Sequence, residues 1–504
     1  MPKLFGTKAP SVTNPIPLAM TAFGLVMGLS QVASAAEVTR VASSFDEELN
    51  GNRFDLHFGV SYGFDFKKGA ILREWAPDGQ GNKLARDLIY REFRHTVTPS
   101  LEIGLWHDLA VYVNLPVVVS DNRNYEFDKE LGDDCVFPTV GADSGSATCV
   151  NKTNSTSIRD GIIPRNGFDA RDSGDPYGQF NDPETDMIFR GPTRRGLDQI
   201  HVGLKIGILS QERRSHLPNW VIGLEGRFAI APGMTMSRAI QVDDPSGNHR
   251  VGRGVHELGA WTSLSRRYRF LEPFFGAHWR YAMRANRSQF TDFGGAMNNT
   301  NPQSETGAYF GAEIVPWEKP EAKKKFSIIL NGSALLRYGG RAYSEVWEIL
   351  ADSPAMVGDY SPGVGGNCNY QAVNAAIVRG NSSDPDSYLA AAQDAGGADC
   401  ASFNGVTNVQ DYGIFGLTAA LNFHMGPYAR LNFGVDMKTQ TRHFLTTASR
   451  GDGDRDPSGD PEVVEADSIE VNPARRDVVD TVGRRYAIDD VLMLTGFANF
   501  IVTF

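Results

Sequence analysis

"FDLHFGVSYGFDF", residues Phe54 to Phe66, sets Phe54, Leu56, Phe58, Val60, Tyr62, Phe64 and Phe66 at even positions and Asp55, His57, Gly59, Ser61, Gly63 and Asp65 at odd ones. Successive side chains of a β-strand point to opposite faces, so strict alternation of this kind marks a strand whose two sides meet unlike surroundings. One face avoids water and the other seeks it. The core of a soluble sandwich and a lipid bilayer would both impose such a pattern, and the choice between them falls to the rest of the chain.

The same test gives about twelve candidate strands. On the second, Val97, Pro99, Leu101, Ile103 and Leu105 share a face; on the third, Leu109, Val111, Val113, Leu115 and Val117. "IHVGLKIGIL", "WVIGLEGRFAI", "ELGAWTSL" and "LEPFFGAHWRYAM" follow, then strands carrying Phe310, Leu330, Leu417 and Val435, and finally "VLMLTGFANFIVTF". Several are about the 9–11 residues with which a tilted strand crosses a bilayer. Pro99, Pro116 and Pro273 each remove a ladder hydrogen bond, so bulges or shortened strands are expected there.

Connector length is the most informative feature. Short turns at "WHD", "SQERRSHLPN", "SRRYR", "EKPEAKKK" and "MGP" alternate with longer polar segments, the largest being 120–199, 339–410 and 447–490. In an antiparallel meander alternate connectors lie at the same end, so all the long loops fall on one side and all the short turns on the other.

That asymmetry, with an alternating last strand that closes on Phe504, resembles the bacterial outer-membrane β-barrel class over nearly all of the mature sequence, without reaching a specific family. The resemblance implies an all-β fold, an antiparallel up-and-down transmembrane β-barrel of about twelve strands with long external loops. It also implies outer-membrane lipid as surroundings, and Phe500, Val502 and Phe504 as the signal read by the barrel-assembly machinery. The N-terminus agrees: Lys3 and Lys8, an apolar run "PLAMTAFGLVMGL" and Ala33-Ser34-Ala35 form a secretory signal peptide over residues 1–35. A short periplasmic segment, 36–53, then precedes a barrel spanning 54–504. It is too short for the plug domain of a TonB-dependent receptor. The location expected is the outer membrane of a Gram-negative bacterium.

Mean hydropathy is −0.29, a value that a barrel produces because lumen-facing residues dilute the apolar signal. The net charge of −11 argues against a nucleic-acid partner, which calls for a basic stripe. Of the four cysteines, Cys135 and Cys149, and Cys368 and Cys400, are close in sequence and suit two disulfides in an exported chain, although three connectivities are open. Their spacing does not suit zinc. Asp452, Asp454 and Asp456 are spaced like hard-cation ligands, but Pro457 stands where a calcium loop of the EF-hand kind needs Gly, so a solvated acidic loop is the preferred reading and no cofactor is expected. Trp106, Trp220, Trp261, Trp279 and Trp317 lie at or near strand ends, where aromatic girdles form.

The phase of each strand turns Asp55, His57, Arg94, Glu102, Lys205, Glu225, Arg227, Glu272, His278, Arg280, Glu313, Arg337, Asp436 and Lys438 inward. Such a lumen suits a porin-like channel or transporter for small hydrophilic or amphipathic solutes, restricted by disulfide-tied loops. A barrel sealed by its own paired side chains, working through its external loops, is the alternative. No enzyme is expected: His57, His95, His278 and His424 are isolated in sequence from any nucleophile, and each reads as an ordinary lumen or rim residue.

Overall fold

The computed structural model describes residues 36–45, 54–75, 83–128, 155–163, 187–236, 248–286, 288–290, 297–351, 353, 358–359, 400–401, 403–455, 464, 470, 472 and 474–504. Twelve long antiparallel strands close into a barrel. They are β1 (Leu56–Trp75), β2 (Lys83–Trp106), β3 (Leu109–Asn114 and Val117–Phe127), β4 (Arg194–Leu197 and Gln199–Leu209), β5 (Asn219–Ala229) and β6 (Val255–Ser265). The circuit continues through β7 (Leu271–Arg284), β8 (Ser304–Lys319), β9 (Lys324–Tyr338), β10 (Tyr412–Met425), β11 (Ala429–Gln440) and β12 (Tyr486–Thr503). β1 pairs with both β2 and β12, so no edge is left open. At the seam Phe504 N–H donates to Leu56 O (2.9 Å) and Leu56 N–H donates to Phe504 O (3.3 Å).

Closure is what permits a sheet to stand in hydrocarbon, where unpaired backbone groups find no water. The outward phase supplies the matching surface. Phe58, Val60 and Tyr62 of β1 are exposed, and Phe310 on β8 and Leu417 on β10 reach 71% and 63% exposure, far beyond what a soluble core strand would leave in water. Among the described residues no helix is long and apolar enough to cross a membrane; the strands do the crossing.

The short turns bend through left-handed residues, Asp108 (φ 52°), Arg269 (φ 55°) and Lys323 (φ 48°), with Gly426 (φ 115°) in the turn "MGP". Of the three prolines, Pro116 stands at the break between the two segments of β3, opposite the place where β2 carries Pro99 and passes from one segment to the other. Pro273 makes no bulge; β7 keeps its register through it because it lies near the strand's start. A bulge that the sequence reading did not place occurs between Ile314 and Trp317, around Pro316.

The β1–β2 hairpin differs from expectation. Where the alternating stretch read from the sequence ends at Phe66, β1 continues to Trp75 and runs for 20 residues, and β2 runs for 24. Their outer halves rest on a hydrophobic cluster built by the long loops, in which Ile71, Leu88, Tyr90 and Tyr125 meet Ile162, Val346, Leu350, Val478 and Tyr486. The buried short helix α1 (Trp347–Leu350) stands at the centre of this outer cap.

Candidate functional site

The lumen is built by the inward phase of nearly every strand. Asp55, His57, Arg94, Glu102, Lys205, Glu225, Arg227, Glu272, His278, Arg280, Glu313, Arg337, Asp436 and Lys438 all stand on that phase, and their polar heads find partners there. Two predicted placements fail. Trp261 is central in β6 and points inward, because Leu258 and Leu264 fix the even positions of that strand as lipid-facing. His95 belongs to the outward phase of β2, where its ring accompanies Phe64 (centroids 5.0 Å apart) and its Nδ1 lies 2.8 Å from the Tyr62 hydroxyl.

A ladder of opposite charges climbs one wall. Lys205 Nζ donates to Glu102 Oε2 (2.6 Å), and the Lys205 ammonium lies 5.3 Å from the centre of the Tyr112 ring. The Tyr112 hydroxyl donates to Glu225 Oε2 (2.6 Å), whose Oε1 accepts from Arg227 Nε (2.6 Å). Arg227 continues to Glu257 (3.4 Å), which also meets Arg253 (3.1 Å) and Arg280 (3.8 Å). Arg280, His278 (3.1 Å) and Arg337 (3.2 Å) converge on Glu305. The sequence reading missed the connecting residues Tyr112, Arg253, Glu257 and Glu305. Tyr112 and Glu305 were within reach, since both fall on the inward phase of their strands.

Inward glycines make room for rings. Tyr112 lies across Gly203, Trp261 across Gly223 and Tyr309 across Gly276, each directly cross-strand. A Cβ at Gly223 would come within 2.0 Å of the Trp261 ring. Only a residue without a side chain lets the ring lie flat on the wall.

Both ends of the lumen are occupied by chain. At the short-turn end, residues 36–45 lie among the inward side chains of the barrel. Glu37 pairs with Arg430 (2.8 Å), Thr39 Oγ1 meets Ser265 Oγ (2.8 Å), Ala42 N–H donates to Glu102 (2.9 Å) and Ser43 N–H donates to Asp55 (3.1 Å). A segment too short to fold as a plug domain thus still enters the lumen, because inward carboxylates and Arg430 receive it. His57 is enclosed in the same network: Nε2 lies 3.0 Å from Asp55 and Nδ1 3.3 Å from Arg430 Nη2. Both ring nitrogens are thus engaged within the network.

At the outer end, Glu345 pairs with Lys67 of β1, and its carbonyl accepts from the Tyr125 hydroxyl (2.7 Å). Burial opposes ionisation of Glu345, yet the Lys67 ammonium, with His443 nearby, holds its pKa down at about 2. Asp480, buried in the loops of the same cap, is pushed up by that burial to about 6.

Between these closures lie two cavities. One of about 360 Å³ is bordered by Arg40, His57, Glu102, Lys205, Trp261 and Arg430. The other, about 170 Å³, lies toward the outer mouth among Arg227, Arg253, Glu257, Arg280, Glu305 and Arg337.

Among the described residues no group of three or more His, Cys, Asp or Glu is placed to hold a metal ion. Asp452 and Asp454 are described, with Asp454 N–H donating to Asp452 (3.3 Å), while Asp456 lies outside the described residues. Cys135, Cys149 and Cys368 also lie outside them, as does the side chain of Cys400.

A closed antiparallel barrel with an apolar exterior, short turns at one end and long loops at the other defines an outer-membrane β-barrel protein. No family model and no curated protein matches the sequence. Among solved structures, the chain is similar to an outer membrane channel from Pseudomonas putida at 5% identity and a TM-score of 0.34, over 88% of this chain and 96% of that one. It is similar to a FadL homologue from Pseudomonas aeruginosa at 7% identity and a TM-score of 0.26, over 89% and 90%. The outer membrane protease OmpT from Escherichia coli is similar at 6% identity and a TM-score of 0.26, over 90% and 98%.

Proposed function

We propose that this protein is a passive channel for small hydrophilic or amphipathic solutes in the outer membrane of a Gram-negative bacterium. In this reading it is exported with removal of residues 1–35 and inserted through its terminal strand, with Phe500, Val502 and Phe504 as the assembly signal. The observation that carries the reading is the ladder from Glu102 to Arg337, which lines two lumen cavities of about 360 and 170 Å³ with paired charges. Fixed charges of both signs along a wall let a polar solute exchange partners as it moves. The segment 36–45 and the cap around Glu345 are then the two gates. The chemistry is passive, in keeping with the engagement of both His57 nitrogens.

The experiment is single-channel conductance and liposome swelling on refolded protein, with and without residues 36–45. Solute flux that rises when the segment is removed supports the channel. A second reading, a sealed barrel working through its loops, is favoured by the buried outer cluster. It predicts no flux from either form while the barrel remains folded.

A further inference from the structure

The entering segment is held at its first described residue. Ala36 N–H donates to Glu272 Oε1 (2.7 Å), and the same oxygen accepts from Ser265 Oγ (2.7 Å). Glu272 has no exposed surface, and its Oε2 has no hydrogen-bond partner among the described residues.

Directly cross-strand from Glu272 stands Glu313. It too is wholly buried, and its Oε2 is likewise without a hydrogen-bond partner among the described residues. Glu313 Oε1 meets Lys325 Nζ (2.8 Å) and accepts from Ser327 Oγ (2.5 Å). Of these two opposed, buried carboxylates only Glu313 has an ion-pair partner among the described residues, the Lys325 ammonium. Like charges facing each other across a strand pair are destabilising, and a buried charge without a counter-ion is more so. A backbone amide at Ala36 offers one hydrogen and no charge, which leaves the imbalance in place.

We propose that Ala36 is the N-terminus of the mature protein and that its α-ammonium is the counter-ion of Glu272, so that the barrel carries a receptor for its own processed end. Hydrolysis of the Ala35–Ala36 amide consumes one water. It leaves a carboxylate on Ala35 and an amine on Ala36, which takes up a proton at neutral pH. The ammonium brings the charge that Glu272 lacks and two more hydrogens than the amide.

Pinning residue 36 also sets the register of the residues after it, placing Glu37 at Arg430, Thr39 at Ser265 and Ala42 at Glu102. Cleavage one residue away would displace the amine by roughly 3.3 Å. The precursor cannot make this contact, so the inner gate locks only after export. The inference rests on the removal of residues 1–35 within the function proposed above, and is independent of whether the lumen conducts.

The test uses mature protein purified from outer membranes. Its intact mass identifies the first residue, and an N-hydroxysuccinimide ester then probes the α-amine of folded and denatured protein, read on the N-terminal peptide. A mass beginning at Ala36 is expected. An ammonium held by a buried carboxylate presents little neutral amine, so labelling of the folded protein should be about tenfold or more slower than after denaturation. Glu272→Gln should restore most of the rate in barrels that keep their folded electrophoretic mobility. If that variant does not fold, the comparison of folded with denatured wild type still decides. A first residue other than Ala36, or an α-amine labelled equally fast in folded and denatured wild type, overturns the proposal. Either result leaves the conductance measurement to judge the channel.

Discussion

The Arg194 guanidinium and the Glu348 carboxylate meet at 2.7 Å with neither side chain exposed. Arg194 also donates to the carbonyls of Asn248 (2.5 Å) and Arg250 (3.1 Å), and its guanidinium lies 4.8 Å from the centre of the Trp347 ring. One cation at the start of β4 therefore ties the β5–β6 loop and α1 into the outer cap. Removing one partner of a buried pair leaves the other charge stranded, at a cost of about 3–5 kcal/mol. Glu348→Ala should accordingly release the cap, and limited proteolysis should cut within 343–350 while the barrel keeps its folded mobility. Unchanged protease resistance would show that the cluster holds the cap without the pair.

The cap should also respond to pH on two sides. Glu345 has a lowered pKa of about 2 in place, against 4.5 when released. Its contribution is complete above 4.5 and is lost as pH falls toward 2. Asp480 has a raised value of about 6, against 3.8, so its contribution grows as pH falls through 6 and is complete below about 3.8. Each shift corresponds to about 3 kcal/mol by linkage. Protease resistance of the outer loops should peak near pH 4 and decline on either side. A monotonic profile would contradict this pairing.

Selectivity should follow from the smaller cavity, where Arg227, Arg253, Arg280, Arg337 and Arg341 outnumber Glu257 and Glu305. With the cap open, reversal potentials across a KCl gradient should report anion preference. The double substitution Arg280→Gln with Arg337→Gln should move them toward cations, and an unaltered potential would place the limiting charge elsewhere.

Gly223→Ala tests the rings laid across glycines. The new methyl would drive Trp261 from the wall into the larger cavity, destabilising the barrel by about 1–3 kcal/mol. Thermal unfolding and tryptophan emission should both shift. Emission identical to wild type would mean that the indole does not depend on Gly223.

These cases divide by what alternation encodes. Inward and outward phase survived in Glu102, Lys205, Arg280 and Arg337 because a strand fixes orientation residue by residue. Trp261 was misplaced because the strand "ELGAWTSL" carries small residues on both phases, and His95 because a histidine gives no sign of the face it occupies. The Arg194–Glu348 pair is 154 residues apart in sequence and joins the first residue of β4 to a one-turn helix within a long connection, where no periodicity links them. The inner gate was equally illegible, since nothing in residues 36–45 indicates that carboxylates on distant strands will receive them.

The unequal strands have an outward consequence. At roughly 3.3 Å per residue and a tilt near 40°, β2 with its 24 residues rises roughly 60 Å, whereas 11-residue β5 rises roughly 28 Å. A bilayer levels their lower portions only. The outer rim of the strands is thus a stair, high along the β1–β2 hairpin and low at β5, so a loop carried by the hairpin starts farther from the bilayer than one carried by β5.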